Sequence, residues 1–166
     1  MRIEWDAIMH RAIEIARHAK GAGEPPFGAL VLDGSGNEIA AMSDQVSAYQ
    51  DFTRHAETEV IRAAVAARGP HLSGCTLVTT VEPCPMCFTA AWLAGIARIV
   101  YGTTMAEVAR VTADAQREVK VPVAQMNAMS GHQIELIGGV ADQACLDLFS
   151  PEAIPRLRDR PRGRME

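Results

Sequence analysis

The chain has 166 residues, 48% of them hydrophobic and 22% charged, and a formal net charge of −4. That is the size and make-up of one globular domain around one core, which excludes a second full domain and a disordered or collagen-like chain. No apolar run approaches the roughly 20 residues of a transmembrane helix and the N-terminus lacks the apolar stretch of a secretory signal, so a cytoplasmic protein with no membrane partner is expected.

In chain order, Ile8, Ala12, Ile15, Ala16 and Ala19 recur at helical spacing before Gly21 and Gly23, which predicts a helix over 3–20. Residues 27–32 are apolar and β-prone, 33–37 read DGSGN, and 38–42 return as a strand, so 27–42 is a hairpin. An irregular stretch, 43–54, leads to an Ala-, Glu- and Arg-rich helix over 55–68 that ends at Gly69-Pro70. A strand comes next at 75–81, then a helix at 85–94 and a strand at 97–101. Beyond Gly102 the pattern predicts a helix near 105–118, a strand at 133–137 and a helix near 141–149. Such alternation argues for an α/β layered domain over 1–150, its central strands parallel because helical crossovers join them. Residues 151–166 carry three prolines and five arginines and read as an irregular basic tail.

Two fragments carry chemistry: His55-Ala56-Glu57 opens one predicted helix and Pro83-Cys84-Pro85-Met86-Cys87 opens the next. Cysteines three apart at a helix start share a face, so both thiolates can reach one zinc at about 2.3 Å, and His55 can supply a third ligand. Glu57 lies about 200° around the helix from His55, which suits a proton acceptor better than a ligand of the same ion. Three ligands with one open position is the arrangement of a catalytic zinc. A structural zinc would need a fourth ligand, for which His71, Cys75 and Cys145 are candidates, and in the blandest reading His55, Cys84 and Cys87 are ordinary core residues. Four cysteines are too few for a small secreted disulfide framework. The order H-x-E, then P-C-x-x-C, is a signature of zinc-dependent base deaminases.

With HAE at 55–57, EPCPMC at 82–87 and PFGALV at 26–31, the chain resembles the cytidine/deoxycytidylate deaminase superfamily over roughly residues 1–104. The likeness is greatest to its nucleobase and tRNA branch, bacterial guanine deaminases above all. The resemblance implies a three-layer αβα fold on a mixed five-stranded sheet. It implies His55, Cys84 and Cys87 as zinc ligands and Glu57 as the proton shuttle. It also brings the backbone around Ala29, Glu82 and the Cys84 N–H to the base or the reacting centre, and implies a homodimer or larger assembly. Where the family usually has an asparagine that holds the base, this chain has Asp44, which accepts hydrogen bonds and cannot donate them when ionised. Either Asp44 selects an N–H edge, or it stabilises a turn and Gln45 supplies the amide. Phe27, Tyr49, Phe52 and Phe88 are candidates to stack on a planar ring.

The expected activity is hydrolytic deamination of a free nucleobase or similar amino-heterocycle, guanine first because the D-x-T-x-H-A-E run at 51–57 looks most like guanine deaminases. Cytosine, a triazine or a pterin-like ring stays open. An adenosine deaminase acting on tRNA is the rival; the segment 150–166 is net +2 and leaves a body of −6, a poor surface for RNA. A non-catalytic, zinc-stabilised binding module is the third reading.

Overall fold

A computed structural model describes residues 4–115 and 118–149; the expected boundary at 150 and the tail 151–166 lie outside the described residues. Helix α1 (Trp5–Gly21) buries Met9, Ala12, Ile13, Ala16 and Ala19 on one face. The stripe is turned slightly from the expected one: Met9 and Ile13 take its centre, and Ile8 and Ile15 sit at its half-buried margin.

Strands β1 (Gly28–Leu32) and β2 (Glu38–Ser43) form the expected hairpin. Asp33 Oδ1 shapes its turn by accepting the N–H groups of Ser35 and Asn37 at 2.9 and 3.0 Å, while Gly36 takes a φ of 88°. Within the stretch expected to be irregular lies one helical turn, α2 (Val46–Tyr49). Next come α3 (Ala56–Arg68), β3 (Thr76–Val81), α4 (Pro85–Leu93) and β4 (Arg98–Thr103), each within two residues of its predicted bounds.

Past β4 the sequence is a poorer guide. The helix expected over 105–118 is α5 (Met105–Val111), seven residues long. The Thr112 hydroxyl donates back to the Val108 carbonyl at 2.7 Å, and Ala113 and Asp114 turn left-handed at φ 50° and 58°, which ends the helix. A further helix, α6 (Val123–Met129), was not anticipated: only Val123 and Asn127 of its residues are buried, so no apolar stripe announces it. After it come β5 (Glu135–Ile137), α7 (Asp142–Leu146) and a short 3-10 turn, Asp147–Phe149.

The sheet order is β2-β1-β3-β4-β5. β1 runs antiparallel to β2 and β3, whereas β3, β4 and β5 are parallel, which makes the five-stranded sheet mixed. β1 and β3 are buried at every position, as central strands covered on both faces must be. Close approach of Gly28 to Ala12 and Ala16, and of Gly102 to Cys145, sets α1 and α7 on one face. Thr79, on the opposite face of β3, meets Glu57 of α3. The result is the expected α/β fold of three layers. Among the described residues no helix is long and apolar enough to cross a membrane.

Candidate metal and catalytic site

The site forms where β3 gives way to α4, at the carboxyl end of a parallel strand. His55 and Cys84 occupy equivalent positions. Each is the last extended residue before a helix, His55 ahead of α3 with ψ 155° and Cys84 ahead of α4 with ψ 167°. Extended geometry there turns the side chain away from the helix axis and toward its neighbour. Pro85 starts α4 at a position where the missing N–H costs no intrahelical bond, and Cys87 stands one turn in. The Thr58 hydroxyl, 2.6 Å from the Thr53 carbonyl and 2.9 Å from that of His55, pins the approach to α3.

His55 Nδ1 lies 3.7 Å from Cys84 Sγ and 3.6 Å from Cys87 Sγ, and the two sulfurs are 3.5 Å apart. A tetrahedral zinc with its usual bond lengths sets ligand edges of about 3.8 Å for S to S and about 3.6 Å for S to N. The donor set therefore fits one zinc ion, and its softness suits zinc over magnesium or calcium. Among the described residues no further His, Cys, Asp or Glu joins these three in a group within 4.8 Å. The fourth ligands weighed from sequence are placed elsewhere: Cys75 at the start of β3, far from its site end, and Cys145 packed on Gly102. That leaves one coordination position for a water or a substrate atom.

The charges are coupled. The hydrogen bond shared by the two sulfurs holds the Cys84 thiol down to about 4, with help from His55, and drives the Cys87 thiol well up together with burial. Burial pulls His55 down, but the Cys84 hydrogen bond and the Glu57 charge reverse this and hold the imidazole up to about 9. Three acidic neighbours around one imidazole form a centre that attracts a cation, and binding one displaces the protons of Cys87 and His55.

Glu57 sits in the first turn of α3, 4% exposed, and its Oε1 accepts the Thr79 hydroxyl at 3.3 Å. Burial raises its carboxyl to about 7 against the pull of His55. It borders a pocket shared with Phe27, His55, Val81, Glu82, Cys84 and Glu118. Of the four aromatic candidates only Phe27 lines this pocket, its ring 5.1 Å from that of Phe149. Tyr49 lies under the Arg54 guanidinium at 3.9 Å, Phe52 is 42% exposed and Phe88 is core. Ala29 is buried in β1 directly opposite Thr79, the hydrogen-bond partner of Glu57. Asp44 is 1% exposed; its Oδ1 accepts the Val46 N–H at 3.0 Å, and its charge reaches His55. Gln45 is half-buried beside it, and neither residue is in the pocket lining. Glu118 was missed from sequence. It comes from the stretch after Gly102, without a motif, yet its charge is felt at both Glu57 and Cys87.

The model of the cytidine and deoxycytidylate deaminase zinc-binding region matches residues 3–103. A tRNA(Ile)-lysidine synthase of Deinococcus deserti is 48% identical over 100 residues, 60% of this chain and 19% of that protein, so the chain spans about a fifth of that relative's length. A tRNA-specific adenosine deaminase of Bacillus subtilis is 32% identical over 150 residues, 87% of this chain and 86% of that protein. The guanine deaminase of Bacillus subtilis is 33% identical over 111 residues, 66% of this chain and 70% of the relative. A solved structure in complex with 8-azaguanine superposes with a TM-score of 0.80 at 28% identity, covering 90% of this chain and 84% of that one.

Proposed function

The chain belongs to the cytidine and deoxycytidylate deaminase zinc-binding family, and from that premise we propose that it is a zinc-dependent hydrolytic deaminase of a free nucleobase or similar amino-heterocycle, guanine first. The observation that carries the proposal is one juxtaposition: three donors spaced for a single zinc and a buried carboxyl bordering the same pocket. His55, Cys84 and Cys87 hold the ion. When bound, zinc supplies the acidity that turns water into a nucleophile at neutral pH. Glu57 accepts the proton of the attacking water and passes it to the ring nitrogen beside the amino-bearing carbon. It then takes the remaining hydroxyl proton from the tetrahedral carbon and passes it to the leaving amine, so ammonia departs and a carbonyl remains. A carboxyl raised to about 7 can take up and give back a proton near neutrality.

Phe27 and Val81 offer apolar surface to a flat ring, and Glu118 and Glu57 offer acceptor oxygens. Carboxylates on the wall suit a ring rich in N–H groups and repel a phosphate. In this reading Asp44 takes the position where the family's asparagine meets the base, with the backbone of Ala29 and Glu82 near the ring. Leu93 of α4 and Met129 of α6, 70% and 80% exposed, are the apolar surface we assign to a homo-oligomer, which sedimentation would reveal. A reducing, cytoplasmic setting keeps the Cys84 and Cys87 thiolates available.

Zinc-loaded protein screened for ammonia release against guanine, cytosine, adenine, their nucleosides and amino-triazines tests the proposal. Release from guanine is the expected result, and no release from any of them sinks it in favour of a zinc-stabilised binding module. A second reading, adenosine deamination in tRNA, is favoured by the 32% identity across nearly the whole of a tRNA-specific adenosine deaminase. Inosine formation in tRNA, with a salt-dependent gel shift, would choose it over the free base.

A further inference from the structure

Glu82 stands between β3 and α4, two residues before Cys84, and its backbone N–H donates to the Thr103 carbonyl at 2.8 Å. Its side chain is 7% exposed and does something the metal chemistry does not require. Oε2 accepts the N–H of Met105 at 3.1 Å, and Oε1 accepts the N–H of Val123 at 2.8 Å. Those two donors are the first residues of α5 and α6 and are themselves buried. One carboxylate thus gathers both ends of the stretch from Met105 to Val123. Glu118 belongs to that stretch and lines the same pocket as Glu82.

We propose that Glu82 is a positioning residue: its carboxylate clamps the two ends of the 105–123 stretch and so holds the Glu118 wall of the pocket in register with Cys84. Two convergent N–H donors need two acceptor oxygens on one planar group, which a carboxylate has. A glutamine offers one oxygen and turns an NH₂ against the other N–H, leaving a buried donor unpaired. Because the clamp acts on the wall and not on the ion, its loss reaches substrate binding first and metal binding not at all. The kinetic part of this proposal rests on the deaminase reading; the mechanical part does not.

Glu82→Gln in the zinc-loaded full chain separates them. Zinc per chain stays unchanged, and amide exchange at Met105 and Val123 speeds up on the order of tenfold, as expected for one lost buried hydrogen bond. KM for the base rises by a similar order while kcat changes less, the split expected when positioning and not proton transfer is impaired. Val123→Pro removes one donor and keeps the carboxylate, at a first-helical position behind Pro122 whose φ of −56° and ψ of 140° tolerate a following proline. It reproduces part of the KM rise even if Glu82→Gln fails to fold, and combined with Glu82→Gln adds little, because both break one clamp. Unchanged exchange at the two amides, zinc loss in Glu82→Gln, faster exchange with KM unmoved, or fully additive KM effects would each overturn the clamp. Should the wild type release no ammonia from any amino-heterocycle, the deaminase reading fails, and the exchange measurement alone decides the clamp.

Discussion

Glu57 and the three metal donors sit on neighbouring turns, yet their substitutions should separate cleanly. Glu57→Gln is expected to keep zinc and fold and to lose at least ~10²-fold in turnover, the scale of removing a general acid/base. Zinc analysis of the variant checks this, and zinc loss would make Glu57 a ligand. Cys84→Ala or Cys87→Ala should lose zinc and some stability with it, since the ion binds only the folded arrangement. Zinc occupancy should also fall as pH falls. The proton and the metal compete for His55, held up to about 9, and for Cys87, raised further, so each unit of acidification favours the proton. At Asp44, exchange for Asn gives the loop a donor where it had only acceptors. The ratio of kcat/KM between substrates presenting C=O and those presenting N–H should move toward the carbonyl by about 1–3 kcal/mol, roughly 5- to 150-fold. If only Gln45→Ala alters that ratio, the amide is Gln45. The ligand set was legible because each motif encodes its own helix start: His55 and Cys84 are both the residue before a helix, and helical spacing then places Glu57 and Cys87. Glu118 was illegible for the opposite reason. Nothing around it in sequence resembles a site, and only packing of the stretch beyond β4 brings it to the pocket.

Between elements, two glycines set distances that no other residue permits. A Cβ on Gly28 would collide with the Ala12 carbonyl and stand 2.9 Å from the Ala16 nitrogen, both backbone atoms of α1. Gly28→Ala should therefore push α1 off β1 and cost about 1–3 kcal/mol, measurable by denaturant unfolding, with an accompanying shift of Phe27 at the pocket. Gly28 offers no sign of this in the sequence, where it reads as one more residue at a strand start. The hairpin it opens was readable because DGSGN supplies both the turn-capping Asp33 and a left-handed Gly36. By contrast α5 was over-extended from its apolar residues. Thr112, Ala113 and Asp114 end it through a side-chain bond and two left-handed residues, and neither Thr nor Ala is a recognised stop signal.

For the molecule as a whole, alternation of elements was enough to give a layered fold with parallel central strands, since helical crossovers leave little other choice. The pattern also supplied the five strands and the short turn supplied the antiparallel β1–β2 pair, whereas the antiparallel pairing of β1 with β3 had no local signal and the mixed sheet came from the resemblance. What alternation could not give is which faces the helices take, because that depends on contacts such as Gly28 with Ala12. The divided origin of the ligands has a kinetic side. His55 rides on α3, packed over β1 and β2, while Cys84 and Cys87 come with α4 after β3, 29 and 32 residues further along. The hairpin needs only local closure, but bringing the histidine within 4 Å of both sulfurs needs β3 already beside β1. Zinc can grip the chain only after that docking, late on the folding route. Removing it with a chelator should then hasten unfolding severalfold while leaving the refolding rate nearly unchanged, so that the ion acts as a latch on a finished structure and not as a nucleus for making one.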